Sequence, residues 1–151
     1  SAECDIQLTK DNVWVVNHNS DTDAWFCQYA EIKDTTLAEL KTFSYKWGPN
    51  FWKYPDMRIA TLDEYLDVFV GTNTRPQIEI KADGYDMLYT VVEAVEAKGL
   101  VEQAIIISFD FKQPINLFDF STYLLPSFSV GFSVSFTTFF SISFLFIIPP
   151  R

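Results

Sequence analysis

The chain has 151 residues, 11 Lys+Arg against 20 Asp+Glu and a net charge of −9, so a nucleic-acid backbone is an unsuitable partner. One His and two Cys exclude a zinc finger and a disulfide framework, while 48% hydrophobic content suffices for one core. The averages hide a split: only two charged residues lie beyond position 112, and residues 120–150 carry none, so two unlike pieces of chain are joined.

The chain opens without Met on Ser1-Ala2-Glu3-Cys4, with no charged and then apolar leader, so no signal peptide is expected and a fragment or processed chain is the simplest explanation. Cys4 to Leu8 alternates: Cys4, Ile6 and Leu8 face one way, Glu3, Asp5 and Gln7 the other. Val13 to Val16 is a second strand, ending at Asn17-His18. The link between them is too short for a parallel crossover. A two-residue turn centred on Asp11-Asn12 is expected, since both types tolerate positive φ. In that register residue numbers sum to 23, which places Asp5 opposite His18 and Glu3 opposite Ser20.

Thr36-Leu37-Ala38-Glu39 and Thr61-Leu62-Asp63-Glu64 have capping-box spacing, and each predicts a helix start with reciprocal Thr and Glu bonds. Residues 44–58, aromatic and polar with two prolines, read as an ordered loop. Arg75 to Lys81 is a strand with Gln77, Glu79 and Lys81 on one face. Asp86 to Lys98 is a helix with Leu88, Val91, Val92 and Val95 as its buried stripe, stopped at Gly99. Ala104 to Phe109 is a short apolar strand buried on both faces. Alternating strands and helices predict parallel α/β architecture. No glycine-rich phosphate loop follows a strand, so a nucleotide-binding fold has no support and a βα barrel remains.

Glu3, Asp5 and Glu79 are the informative acids. On a solvent-facing strand they would mean nothing, and that is the common reading of a charged alternating strand. In a barrel, helices cover the outside and the polar face looks inward, where clustered carboxylates repel unless a cation sits among them. Such hard oxygen ligands suit Mg²⁺ or Ca²⁺ better than zinc. His18 is either a surface histidine or a general acid or base. Lys81 is either half of an ion pair with Glu79 or a neighbour, or a stabiliser of phosphoryl charge; spacing does not choose. Cys4, on an apolar face, and Cys27, in a loop, read as incidental thiols.

The run Glu3-Cys4-Asp5 through Thr9-Lys10-Asp11-Asn12, then Val15-Val16-Asn17-His18, resembles the glycerophosphodiester phosphodiesterases, with their Glu-x-Asp, Thr-Lys-Asp-Gly turn and Val-Val-x-His-Asp. Thr35-Thr36-Leu37-Ala38-Glu39-Leu40, Ile59-Ala60-Thr61-Leu62-Asp63-Glu64, Ile78-Glu79-Ile80-Lys81 and Ile107-Ser108-Phe109-Asp110 are similar to further family segments, in the same order. The resemblance implies a partial (βα)₈ TIM-type barrel over 1–111, about strands two to five, and metal-dependent hydrolysis of glycerophosphodiesters to glycerol 3-phosphate and an alcohol. It implies Glu3, Asp5 and Glu79 as ligands of one divalent metal, Mg²⁺ or Ca²⁺, with His18 and Lys81 catalytic and a small-molecule phosphodiester as substrate. The family's upstream His-Arg pair is missing, Asn19 replaces the Asp after the histidine, Asn12 the turn Gly and Ala60 the Pro. An arc of barrel leaves open edges, so the chain alone is expected to be inactive and prone to aggregate.

Residues 112–151 are expected to lie outside the barrel and to carry no functional residue. Residues 128–148 form an uncharged stretch long enough for a transmembrane helix, but eight of its residues are Ser, Thr or Gly. Strict alternation over 128–136 suits a strand instead, and the abrupt change of composition suits translation out of frame. A non-catalytic barrel remnant, associating with membrane through 128–148, is the alternative to an enzyme.

Overall fold

A computed structural model describes residues 1–81, 87–108, 131–137 and 141–147, the last two segments by backbone alone. Strand β1 spans Ala2–Leu8 and β2 Trp14–Val16. Helix α1 spans Leu37–Leu40, α2 Leu62–Asp67, β3 Pro76–Ile80, α3 Leu88–Ala97 and β4 Ile105–Ser108. These strands form an open mixed sheet in the order β2-β1-β3-β4, with β1, β3 and β4 parallel and β2 antiparallel. The backbone of β5 (Gly131–Thr137) and β6 (Ser141–Ile147) forms an antiparallel hairpin, and β6 pairs antiparallel with β4. The expected helix start at Asp86, the strand end at Phe109-Asp110 and the remainder of 112–151 lie outside the described residues.

The first hairpin departs from the expected register. Ile6 faces Val16, Gln7 faces Val15 and Leu8 faces Trp14, so paired numbers sum to 22, not 23. The loop therefore holds three residues. Asn12 N–H donates to the Thr9 carbonyl at 3.0 Å, and Thr9 N–H to the Val13 carbonyl at 3.0 Å. A two-residue turn of the expected kind needs positive φ at both central positions, whereas only Asn12, at φ 60°, adopts it here. A type I turn closed by a left-handed residue is the three-residue solution. Asp5 is consequently level with Asn17, whose N–H donates to the Asp5 carbonyl at 3.0 Å, and not with His18. Likewise Glu3 is not level with Ser20. One residue of slip transfers a side chain to the opposite face, so the change decides where His18 stands.

The helix starts follow from their caps. At α2 the box is complete: Glu64 N–H donates to Thr61 Oγ1 at 3.1 Å, and Thr61 N–H to Glu64 Oε2 at 2.8 Å. At α1 Thr36 Oγ1 accepts from Glu39 N–H at 3.4 Å, but Leu37 N–H donates to Asp11 Oδ1 at 2.9 Å, so an acid of the hairpin turn helps to cap this helix. The segment 44–58 is a loop, as expected, with one 3₁₀ turn at Phe51–Lys53.

The alternation of β1 and β3 sorts their side chains. Cys4, Ile6, Ile78, Ile80 and Ile106 go to the core, packed against Leu62, Leu66 and Phe69 and the α3 stripe of Leu88, Val91, Val92 and Val95. Each such buried aliphatic stabilises by about 1.5–3 kcal/mol relative to exposure. Gly99, at φ 68°, ends α3 where the sequence places the stop. A second cluster of Val15, Phe26, Ile32, Leu40, Phe43 and Ile59 supports the loops after β2. With the helices on one face, Glu3, Asp5, Glu79 and Lys81 are left on the other.

Candidate metal centre

Parallel pairing aligns the acids. Asp5 lies across the ladder from Glu79, and Glu3 from Gln77. Strand period two keeps Glu3 and Asp5 on one face, and in-register pairing brings Glu79 beside them. Glu3, Asp5 and Glu79 each offer an oxygen within 4.8 Å of the others. Lys81 comes from the residue after β3; its Nζ lies 3.3 Å from Asp5 Oδ1 and 2.6 Å from Glu79 Oε1. The Asp5 and Glu79 side chains are 15% and 12% exposed, whereas Glu3 is open to solvent.

Crowding of like charge leaves its mark. Burial, and then the charges of Asp5 and Glu79, push the Glu3 carboxyl above its ordinary value, while Lys81 and His18 pull it down. Burial works against the Lys81 ammonium, but its short contact with Glu79 and the charges of Asp5 and Glu79 outweigh this and hold its pKa above the usual lysine value. Glu79 Oε1 is buried, and the Lys81 ammonium at 2.6 Å meets its charge.

This donor set fits a hard divalent cation. It consists of three carboxylate oxygens from neighbouring strands, and their spread is of the right order. Oxygens on opposite sides of one Ca²⁺ stand about 4.8 Å apart, and on one Mg²⁺ about 4.2 Å.

His18 lies just past β2, exposed, on a loop of defined shape. The buried Asn17 donates through Nδ2 to the Asn19 carbonyl at 2.7 Å and the Asp21 carbonyl at 2.9 Å. Gln7 Nε2 donates to the His18 carbonyl at 3.1 Å, tying the loop to the polar face of β1. His18 Nδ1 lies 2.8 Å from Asn19 Oδ1. With the proton on Nδ1, this bond leaves the Nε2 lone pair available. Asn19 thus still presents an oxygen to the imidazole, although it lacks the charge of Asp. Asn17 and Gln7 escaped sequence reasoning as site-positioning residues. Their partners are mostly backbone carbonyls, which leave no pattern in the residue types. Cys4 is buried and Cys27 exposed, and both are free thiols.

The family model for the glycerophosphoryl diester phosphodiesterase family matches residues 1–122. A curated glycerophosphodiester phosphodiesterase of Caldanaerobacter subterraneus subsp. tengcongensis is 30% identical over 125 residues, which are 82% of this chain and 47% of the relative, so the chain spans about half that relative's length. Among solved structures, a phosphodiesterase of Oleispira antarctica in complex with the product sn-glycerol-3-phosphate is similar with a TM-score of 0.63 and 21% identity, over 83% of this chain and 50% of that one. A glycerophosphodiester phosphodiesterase of Parabacteroides distasonis gives a TM-score of 0.58 and 28% identity over 72% and 43%. The α/β fold matches TIM-barrel structures over part of their chains.

Proposed function

Because the chain belongs to the glycerophosphoryl diester phosphodiesterase family of hydrolases, we propose that residues 3–81 are the metal- and phosphate-handling part of an enzyme that hydrolyses glycerophosphodiesters to glycerol 3-phosphate and an alcohol. Family enzymes are typically metal-dependent. The observation that carries the reading is the convergence of Glu3, Asp5 and Glu79 around one point, with Lys81 beside them and His18 on the adjoining loop.

Glu3, Asp5 and Glu79 would hold one Mg²⁺ or Ca²⁺. The cation, when bound, polarises a phosphoryl oxygen. Lys81 sets a positive charge beside the same phosphoryl group. His18, oriented by Asn19, takes or gives a proton at Nε2. In-line displacement at phosphorus needs one proton removed from the nucleophile and one delivered to the leaving oxygen. The chain holds one imidazole for these two roles.

The test is phosphorus NMR of glycerol 3-phosphate titrated with the chain in the presence of Ca²⁺. The expected result is cation-dependent broadening that E79Q and K81M weaken at least tenfold. Broadening that survives E79Q unchanged contradicts the site. The uncharged stretch at 128–148 favours a second reading, a non-catalytic remnant with a membrane-associating segment there, and that reading predicts no cation-dependent binding of glycerol 3-phosphate. Turnover of a glycerophosphodiester by these 151 residues is expected to be undetectable; turnover abolished by H18A would show that one imidazole suffices.

A further inference from the structure

Among the described residues, half of the exposed large hydrophobic side chains fall in one short segment. Trp47, Trp52, Tyr54 and Met57 are 62%, 65%, 61% and 39% exposed. They alternate with Lys46, Lys53 and Arg58 against the single acid Asp56, so residues 46–58 are cationic within a chain of net charge −9. Lys46 pairs with Asp23 at 3.2 Å, but Lys53 and Arg58 make no ion pair among the described residues.

This segment has a defined shape. Asn50 takes φ 63°, and the 3₁₀ turn of Phe51–Lys53 follows it. Phe51 and Trp52 meet edge to face at 5.7 Å. Arg58 Nη1 donates to the carbonyls of Pro55 at 2.9 Å and Met57 at 2.8 Å, which closes the loop. Its base is fixed to the loop after β2. Lys46 N–H donates to the Trp25 carbonyl at 2.8 Å, Cys27 N–H to the Ser44 carbonyl at 2.9 Å, and the Trp25 and Trp47 rings stand 5.7 Å apart. Trp47 and Trp52 each make one such ring contact and still stay 62% and 65% exposed.

Scattered exposed apolar groups need no explanation, but a cluster of them marks an interaction surface. Trp and Tyr, each an apolar ring with a polar tip, are the side chains that settle at the headgroup level of a bilayer. Lys53 and Arg58 beside them, with no ion pair among the described residues, complement anionic headgroups. We infer that residues 46–58 are a docking surface for an anionic phospholipid bilayer. Trp47, Trp52 and Tyr54 enter the interface, and Lys53 and Arg58 meet lipid phosphates. The same loop framework carries His18 and Asp23, so docking sets the orientation of the proposed catalytic loop toward the lipid surface. The surface stands independently of the phosphodiesterase reading, and its test measures binding, not turnover.

The experiment uses the full chain with vesicles of phosphatidylcholine and phosphatidylglycerol, part of the lipid being brominated to quench tryptophan on contact. Trp25→Phe serves as the background, and W25F is compared with W25F/W47F/W52F, which retains only the buried Trp14. Circular dichroism checks that both fold alike, and co-sedimentation gives the bound fraction. The expected result is quenching of W25F that is lost in the triple variant, with K53Q/R58Q weakening co-sedimentation about tenfold or more. Co-sedimentation without quenching of W25F overturns the inference, because the chain then binds through another part such as 128–148. Absence of any binding to these vesicles overturns it equally and leaves the surface for a protein partner.

Discussion

Asp5 and Glu79 face each other across the parallel β1–β3 ladder and share one cation, the ammonium of Lys81, at 3.3 and 2.6 Å. Without Lys81, three carboxylates would crowd one face with nothing to balance them. Lys81→Met should therefore lower stability in the absence of divalent cations by about 1–3 kcal/mol, between the values for exposed and fully buried pairs. Added Ca²⁺ should then raise the melting temperature of the variant by more than it raises that of the parent. Equal gains in scanning calorimetry would mean that Lys81 does not neutralise this cluster.

The hairpin turn offers a local test of register. Asn12 alone among its residues has positive φ. Asn12→Gly should be neutral or stabilise by up to about 0.5 kcal/mol, as the residue tolerates the left-handed region without a Cβ. Asn12→Val should cost about 1–2 kcal/mol, because a β-branched side chain is strained there. Urea midpoints for both variants check this, and a tolerated Val would rule out the three-residue turn.

The two threonine caps should not be equivalent. Thr61 takes part in a full capping box, and Glu64 also pairs with Lys41 at 2.6 Å. Thr61→Ala should cost about 1–2 kcal/mol. Thr36 accepts a longer bond, and the first amide of α1 is already held by Asp11. Thr36→Ala should cost about 0.5 kcal/mol. A larger loss at Thr36 would show that Asp11 does not support that helix.

Alkaline pH should act through Cys4. Burial pushes its thiol from 9.0 up to about 12, opposed by Tyr65. Above the ordinary thiol value the unfolded chain gives up this proton while the folded chain keeps it. Stability present below pH 9 is then lost as pH rises toward 12, at about 1.4 kcal/mol per pH unit. Burial also raises the Tyr65 hydroxyl, which adds to the loss in the same direction. Cys4→Ala should remove the thiol's share, so its slope of unfolding free energy between pH 9 and 11 should be shallower. Parallel slopes in parent and variant would exclude Cys4 as the cause.

The parts of this fold that were legible in the sequence are those where one residue type serves one local need. The alternation of Glu3, Asp5 and Gln7 against Cys4 and Ile6 gave the two faces of β1, and the same period in β3 put Glu79 and Lys81 on the polar face. Together with parallel pairing, this makes the three acids converge. Thr61 with Glu64, and the stripe from Leu88 to Val95, were legible for the same reason. The hairpin register was not, because Asp11 and Asn12 both tolerate positive φ and only the backbone shows that Asn12 alone uses it. The placement of His18 depended on that register. Its support by Asn17 and Gln7 was hidden as well, since those amides bond to backbone carbonyls that every residue possesses.

Isothermal titration of Ca²⁺ and Mg²⁺ into the metal-free chain, alongside E3Q, D5N and E79Q, tests the central claim most directly. One site is expected in the parent and at least tenfold weaker binding in each variant, with E79Q the most affected because Glu79 is the least exposed of the three acids. No saturable heat in the parent, or affinity unchanged in E79Q, would contradict a divalent-cation centre built from these three acids.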